Sequence, residues 1–243
     1  MTTTLAAKNL SLYDLETRFN LALSEDEEFF SELKENLPEI SSEEKRALDR
    51  VKRNYSNMSK RRPMLEDLVK MVVLSPLLDL ADFWCDPELD ITTEVDFWRS
   101  ARATSLSLSL PGRATMVEIS LEDEGEKIRG YIDLLSVKEK LWLLAIESKR
   151  TQVDVMSALP QILFYMLNSP NLERPTFGLI ANGREFVFVK LIQNIMPKYA
   201  YSQAFNIQAR GNELYEVLRI LKGCISSLPA KAENNLTINK TES

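Results

Sequence analysis

The sequence predicts an α/β fold in which helices flank a mixed central β-sheet. Three observations predict this class. Apolar residues recur at helical spacing through roughly the first 80 residues, period-two patterns typical of strands begin at about residue 92, and a helical pattern over residues 153–167 separates two groups of strands. Helices before and between strands are best accommodated on the faces of one sheet. A chain of 243 residues suffices for one large domain with an appended segment.

Residues 1–62 are expected to form a helical N-terminal extension. An apolar stripe predicts the first helix, and its members are Leu12, Leu15, Phe19 and Ala22. Ser24 and Glu27 have the spacing of a capping box, so a second helix is expected to run through Leu33. Ser41 and Glu44 repeat that spacing and predict a third helix, whose apolar residues are Leu48, Val51 and Tyr55.

Basic residues crowd the third helix and the segment after it: Lys45, Arg46, Arg50, Lys52, Arg53, Lys60, Arg61 and Arg62. Two interpretations of this run stay open. The more common meaning of such a run is a solvated helix face. The other is a patch that contacts phosphate groups, with Tyr55 interleaved among the cations.

Residues 63–228 are expected to form the main domain. Pro63 suits the first turn of a helix over residues 64–74, because the backbone N–H that proline lacks has no helical partner there. Apolar patterns then predict strands over residues 92–97, 105–110, 116–121, 128–136 and 141–148. The last of these is almost wholly apolar, as in a central strand covered on both faces.

The remaining elements complete the predicted sheet. A helix over residues 153–167 precedes strands over residues 176–181 and 185–192, which Asn182-Gly183 is expected to join as a two-residue turn. Residues 199–205 are expected to add an edge strand, and a helix over residues 212–222 is expected to stop at Gly223. Residues 229–243 are polar and are expected to form a disordered tail.

Composition excludes several classes of active site. The chain contains no histidine, which excludes Ser-His-Asp and Cys-His nucleophiles and His-ligated zinc. Cys85 and Cys224 are far apart and match no metal or disulfide pattern. A hydrolase of this composition must therefore work with carboxylates, lysine and an oxygen-bound metal. No signal peptide or membrane-length apolar run is evident, so a cytoplasmic protein without a membrane partner is expected.

Two apolar strands carry charged residues in a pattern that suits a metal site. Asp133 lies in the first strand, and Glu147 and Lys149 lie at the end of the second. Because residues i and i+2 of a strand share a face, Glu147 and Lys149 are expected to project together, and a hairpin can bring Asp133 to them. Two buried carboxylates repel each other unless a cation lies between them. Asp133 and Glu147, with the Ser148 carbonyl, are therefore expected to bind Mg²⁺, which Mn²⁺ can replace; a solvated strand end is the other interpretation.

These residues resemble the PD-(D/E)xK nuclease superfamily, which has a restriction-endonuclease-like core. Asp133, Glu147-Ser148-Lys149 and the strand–hairpin–strand–helix order carry the resemblance. Gln161 and Tyr165 are similar to the Gln-x-x-x-Tyr element in the nuclease domains of type I restriction subunits and in RecB-like nucleases. The two residues are four apart and share one helix face. Taken alone, the pair also fits an amphipathic helix in which Tyr165 simply packs.

The resemblance implies a catalytic set of Asp133, Glu147, Lys149, Gln161 and Tyr165, with Glu66 as an extra metal-supporting acid. A glutamate that favours the helix dipole is the other interpretation of Glu66. The resemblance covers about residues 63–192, and Ile132 stands where the family's proline is expected. No Gly-x-x-x-x-Gly-Lys phosphate loop occurs in the chain, so it does not resemble a complete translocating subunit.

The sequence therefore predicts a Mg²⁺-dependent nuclease that hydrolyses phosphodiester bonds, with DNA as the expected substrate. Asp133 and Glu147 would bind the metal, and Lys149 would assist the attacking water. The net charge of −6 and the missing motor favour a second interpretation, a catalytically inactive nucleic-acid-binding or assembly protein on the same fold. The apolar stripes of the N-terminal helices suggest a homodimer.

Overall fold

The computed structural model describes residues 4–31, 36–83, 89–100, 107–109, 127–138, 141–170, 172 and 174–226. Along much of the sheet between residues 89 and 147 it describes the backbone alone, and Glu147 belongs to this group. Asp133, Leu134, Ile146 and Ser148 are described with their side chains. The strand predicted over residues 116–121, the tail 229–243 and Cys85 lie outside the described residues.

The described strands form one mixed sheet. They are β1 Thr4–Ala6, β2 Ala22–Leu23, β3 Leu89–Ser100, β4 Ser107–Ser109, β5 Lys127–Lys138, β6 Leu141–Ser148, β7 Thr176–Ala181, β8 Glu185–Ile192, β9 Lys198–Tyr201 and β10 Phe205–Asn206. Their order in the sheet is β2-β9-β8-β7-β6-β5-β3-β4, with β1 beside β5 and β10 beside β8. Strands β6 and β7 run parallel, as do β1 with β5 and β2 with β9, and the other neighbours are antiparallel.

Helices cover both faces of this sheet, as the sequence predicts. The helices are α1 Leu12–Phe19, α2 Ser42–Ser59, α3 Glu66–Val69, α4 Ser75–Leu80, α5 Leu159–Met166 and α6 Leu214–Ser226, with a π-helix at Lys70–Leu74 and 3₁₀ turns at Ala7–Asn9 and Val155–Ala158. One apolar cluster joins α2, α4 and α6 to Phe186 and Phe188 of β8. The other joins α1 and α5 to Val187 and Val189, which alternate with them.

The N-terminal predictions are confirmed in part. Helix α2 begins at the predicted capping box, in which Ser41 accepts from the Glu44 N–H and the Glu44 carboxylate accepts from the Ser41 N–H. The helix expected after Ser24 is wrong over the described residues, because residues 27–30 form turns. There Glu28 donates its N–H to the Asp26 side chain, a local bond that competes with a helix.

The apolar stripes of α1 and α2 are covered by this chain itself. Leu15 and Leu48 are 0% exposed, and Tyr55 is 1% exposed. A stripe buried in its own core is not available to a second copy. The homodimer therefore remains a prediction, and the apolar stripes that suggested it no longer support it.

The helical segment over residues 66–80 is longer than predicted and contains a π-helix. It begins at Glu66, three residues after Pro63, and continues past Pro76 to Leu80. The Ser75 N–H donates to the Lys70 carbonyl, five residues earlier. A proline inside an α-helix has no N–H to donate to the carbonyl four residues earlier, and its ring crowds that carbonyl. The wider π turn before Pro76 accommodates that residue, so the expected stop at residue 74 does not occur.

Two predictions at the C-terminal side of the sheet are wrong. Strand β9 is not at an edge, because it lies between β8 and β2. Helix α6 passes through Gly223 to Ser226, and Cys224 is only 7% exposed in the same core as Leu221. Burial of that apolar face outweighs the modest cost of a glycine inside a helix.

The β7–β8 hairpin is confirmed, but its tip is one residue later than predicted. Asn182 donates its N–H to the Glu185 carbonyl, so Gly183 and Arg184 are the central residues. Gly183 has φ of +79°, in the left-handed region that favours glycine. A Cβ atom there would lie 2.9 Å from a Val69 methyl carbon. The hairpin tip therefore packs closely on the helical segment that carries Glu66 and Lys70.

Replacing Gly183 by alanine is expected to lower the free energy of unfolding by about 1–3 kcal/mol, because the residue would be strained and would displace Val69. Gly211→Ala is the matched control, since a Cβ there meets nothing within 4 Å. Urea unfolding of both variants measures the difference. Equal stability of the two proteins would contradict the close packing of this turn.

Candidate active site

The parallel pair β6–β7 sets the position of the candidate residues. Ser148 ends β6 opposite Ala181, and Lys149 continues the pairing by donating its N–H to the Ala181 carbonyl at 2.7 Å. On the other side of β6, the pairing with β5 begins at Leu134 and Ile146. Asp133 and Ser148 therefore lie just beyond the β5–β6 ladder, where the Ser148 N–H can donate to the Asp133 side chain.

The Asp133 carboxylate accepts three hydrogen bonds at this point. Ser148 donates its backbone N–H at 2.6 Å and its hydroxyl at 2.8 Å, both to Oδ2. Lys70 Nζ donates to Oδ1 at 2.7 Å. The side chain of Asp133 is 18% exposed and Ser148 is 0% exposed. These bonds compensate the cost of removing a carboxylate from water.

Lys70 lies between two carboxylates. Its Nζ is 2.7 Å from Asp133 and 3.3 Å from Glu66, four residues earlier on the same helical segment. Burial lowers the pKa of Lys70, but the hydrogen bond and the negative charge of Asp133, with a smaller contribution from Glu66, outweigh burial and raise that pKa above 10.5. Lys70 is therefore a permanent cation at neutral pH.

A second chain of polar side chains begins at Lys149. Its Nζ donates to Gln161 Oε1 at 3.2 Å, and Gln161 Nε2 donates to the Tyr165 hydroxyl at 2.7 Å. Gln161 and Tyr165 lie one turn apart on α5, which connects β6 to β7 across the sheet. Tyr165 is 1% exposed, so its hydroxyl acts on the site through its hydrogen bond with Gln161.

The sequence-predicted site residues thus meet in two adjoining groups. Glu66 and Asp133 meet at Lys70, and Ser148 binds the other oxygen of Asp133. Lys149, which follows β6, bonds to Gln161 on α5, and Gln161 bonds to Tyr165. Ser148 and Lys149 join the groups through the backbone. Ser148 makes its contact through N–H and hydroxyl, whereas the sequence interpretation used its carbonyl. The side chain of Glu147 lies outside the described part of the chain.

The oxygen atoms of this site fit a divalent cation bound by few protein ligands. Asp133 and Glu66 both direct a carboxylate oxygen at one positive centre, the Lys70 ammonium. Magnesium needs only one or two carboxylates, because it keeps several waters. Among the described side chains, no group of three or more Asp, Glu, Cys or His residues is close enough to share one ion.

Sequence reasoning missed Lys70 and the role of Asn182. The spacing of Glu66 and Lys70, which favours an ion pair on a helix, was the available signal for Lys70. Asn182 is 0% exposed, accepts from the N–H groups of Arg184 and Glu185, and donates to the Val153 carbonyl at 2.9 Å. It therefore fixes the segment after Lys149 to the hairpin, a tertiary contact that the sequence does not indicate.

No protein-family model matches this sequence, and no curated protein is similar enough to be identified as a relative. Any function must therefore be argued from the residues and their geometry. Within the described residues, no helix has the length and apolar character needed to cross a membrane.

The Lys70 ion pair is expected to contribute stability that is lost at alkaline pH. Because the folded-state pKa of Lys70 is raised, the contribution is complete below the ordinary pKa of 10.5 and disappears as the pH rises through the higher folded value. The free energy of unfolding should therefore fall more steeply above about pH 10 for the parent protein than for Lys70→Met.

Urea unfolding at several pH values measures this difference. Lys45→Met is the matched control, because Lys45 is exposed at the start of α2 and should leave the parent's pH dependence unchanged. A Lys70→Met curve parallel to the parent curve would show that the ion pair contributes nothing to folding.

Proposed function

We propose that this chain is a metal-dependent nuclease that hydrolyses phosphodiester bonds, with DNA as the expected substrate. The resemblance to the PD-(D/E)xK superfamily, with its restriction-endonuclease-like core, belongs to this proposal. The observation that carries it is the meeting of Asp133 and Lys149 at the end of strand β6. Asp133 accepts a hydrogen bond from the Ser148 N–H, and Lys149, the next residue, donates to Gln161.

The order of elements supports the same proposal. Helical segment 66–80 is followed by strands β3 to β6, of which β3, β5 and β6 are antiparallel neighbours. Helix α5 comes next, and then β7, which is parallel to β6. This is consistent with the strand–hairpin–strand–helix order on which the resemblance rests. The acid from the helix, the acid from β5 and the lysine after β6 then lie at one edge of the sheet.

A divalent cation held by Asp133 and Glu147, with Glu66 in support, would act as a Lewis acid towards the scissile phosphate. The protein's own part is charge and orientation. Lys149 is held by Gln161, so its ammonium is fixed where it can neutralise charge that develops on phosphate or position the attacking water. Tyr165 fixes the amide of Gln161, since its hydroxyl accepts from Nε2 and leaves Oε1 for Lys149.

Cleavage of plasmid, linear duplex and single-stranded DNA with Mg²⁺ or Mn²⁺ tests the proposal. Lys149→Ala is expected to slow cleavage by at least about 100-fold, the usual effect of losing a group that assists proton transfer or charge neutralisation. Gln161→Ala should lower the rate less, because Lys149 would remain but lose its fixed position.

Lys198→Ala is the matched control, because Lys198 is exposed on β9 and should leave the rate unchanged. Cleavage by Lys149→Ala as fast as by the parent protein would show that the assignment of Lys149 is wrong.

A second candidate function is nucleic-acid binding or assembly without catalysis. The position of Lys70 favours it, because an ammonium group already neutralises Asp133 and Glu66. The two functions differ in their response to metal, since a ligand that binds only the folded state raises the melting temperature.

If the protein is a nuclease, Mn²⁺ is expected to raise its melting temperature, and Asp133→Asn should abolish that rise. Lys70→Met should make the rise larger, because the metal would no longer compete with the ammonium group. No increase in melting temperature for either the parent protein or Lys70→Met would favour the non-catalytic function.

A further inference from the structure

A basic groove lies beside the candidate active site. It has a volume of about 450 Å³, and its walls come from the end of α2, the segment after β6, the β7–β8 turn and the segment after β10. Four of its lining residues are cations: Lys60, Arg61, Arg62 and Arg184. None of the residues that line it is acidic. The groove is therefore a local concentration of positive charge on a chain whose net charge is −6.

The first three cations are not used to hold the fold. Lys60, Arg61 and Arg62 are exposed, and none makes an ion pair or side-chain hydrogen bond with another described residue. Lys52, earlier in the same basic run, differs from them because its Nζ donates to the carbonyls of Ala209 and Gly211 at 2.6 Å. Within the basic run, Lys52 therefore has a structural role, whereas Lys60, Arg61 and Arg62 are available to a ligand.

A buried donor at the groove provides an independent observation. Arg184 Nε is buried and without a partner among the described residues, although the end of its side chain pairs with Glu185 at 3.2 Å. Tyr55 also lines the groove, but it is 1% exposed and its hydroxyl lies beside that of Thr151, so it belongs to the packed wall. An unpaired buried donor is costly unless an acceptor reaches it.

The groove and the candidate site lie at the same edge of the sheet. Thr151 and Gln152 line the groove and follow Lys149 by two and three residues. Arg184 is in the β7–β8 turn, which Asn182 fixes to the Val153 carbonyl. A strand of linked phosphates could therefore extend from the groove to Lys149 without crossing the sheet.

We propose that this groove binds the phosphodiester backbone of a nucleic-acid strand and leads it to Lys149. Lys60, Arg61 and Arg62 supply charge, and Arg184 supplies a directed donor to phosphate oxygens. The placement of the strand at Lys149 rests on the proposed nuclease function, whereas backbone binding by the groove does not. Contacts of this kind recognise phosphate and carry no base sequence.

Fluorescence anisotropy with labelled single-stranded and duplex DNA, in the presence of EDTA, tests the groove separately from catalysis. The test variant is the double substitution Arg61→Gln and Arg62→Gln. The matched control is Lys45→Gln with Arg46→Gln, which removes the same charge from the far end of α2, about 22 Å away along the helix.

The test variant is expected to bind at least about 10-fold more weakly than the parent. Its plot of log affinity against log salt should also be shallower by about 1–2, because two phosphate contacts are lost. The control should retain the parent's affinity and slope. Equal weakening by both double variants would show that only net charge matters and would overturn the groove assignment.

Arg184→Lys provides a second test that does not change charge. It keeps the cation but removes the Nε donor, so it should bind DNA several-fold more weakly than the parent. Unchanged affinity would overturn the role of the buried donor. Displacement by inorganic phosphate as effective as displacement by unlabelled DNA at equal phosphate concentration would identify a small-anion site and overturn backbone binding.

The two proposals can fail separately. If Lys149→Ala abolishes cleavage while the Arg61 and Arg62 variant binds DNA like the parent, the nuclease stands and the groove is wrong. If the protein does not cleave but this variant loses binding selectively, the groove stands and the nuclease is wrong.

Discussion

The parallel pairing of β6 with β7 is the constraint on which the rest of the site depends. Parallel strands end at the same edge of a sheet and require a crossover, which α5 provides. The pairing extends past the end of β6 through the Lys149 N–H, so Lys149 begins its loop in a fixed direction. The crossover places Gln161 against Lys149, and the end of β7 carries Asn182, which fixes the loop after Lys149. The position of Lys149 and that of the loop after it are thus both set by one strand pair.

Charge is distributed over this edge in a way that net charge does not reveal. Asp133 and Glu66 surround Lys70 on one side, and four cations line the groove on the other. Carboxylates that converge on one positive centre are suited to hold a cation, and clustered arginines are suited to hold anions. An acidic protein can therefore present a surface to phosphate if its cations are gathered beside the site that needs them.

The elements that the sequence predicted best are those whose pattern is local. Strands β6, β7 and β8 have the predicted bounds, because continuous apolar runs bounded by polar residues leave little choice of register. The capping box at Ser41 and Glu44 is also a local pattern and was predicted correctly. Ser24 and Glu27 have the same spacing, but residues 27–30 form turns. Spacing alone does not distinguish the two cases, since burial of Leu48 and Val51 in the core stabilises α2.

Other features depended on tertiary contacts that no local pattern contains. Helices were expected to end at residue 74 and at Gly223, but the core buries residues on both sides of each position. For the candidate site, Asp133 and Lys149 were predicted from their pattern on two strands, and Gln161 and Tyr165 from the resemblance. The contact of Asp133 with Ser148 arises from the pairing of β5 with β6. Lys70 was missed because its importance depends on Asp133, which is 63 residues away in the chain.

The π-helix at Lys70–Leu74 has a consequence for how the two ends of its segment are related. Such a bulge is equivalent to one residue inserted into an α-helix, and each residue turns a helix by about 100°. The turn that carries Glu66 and Lys70 is therefore rotated relative to the turn that buries Leu77 and Leu78. Deleting one residue of the bulge would swing Glu66 and Lys70 away from Asp133, and it would also move Val69, which is 0% exposed and packs against Gly183. The site's electrostatics and the core's packing are thus linked through one continuous helical segment.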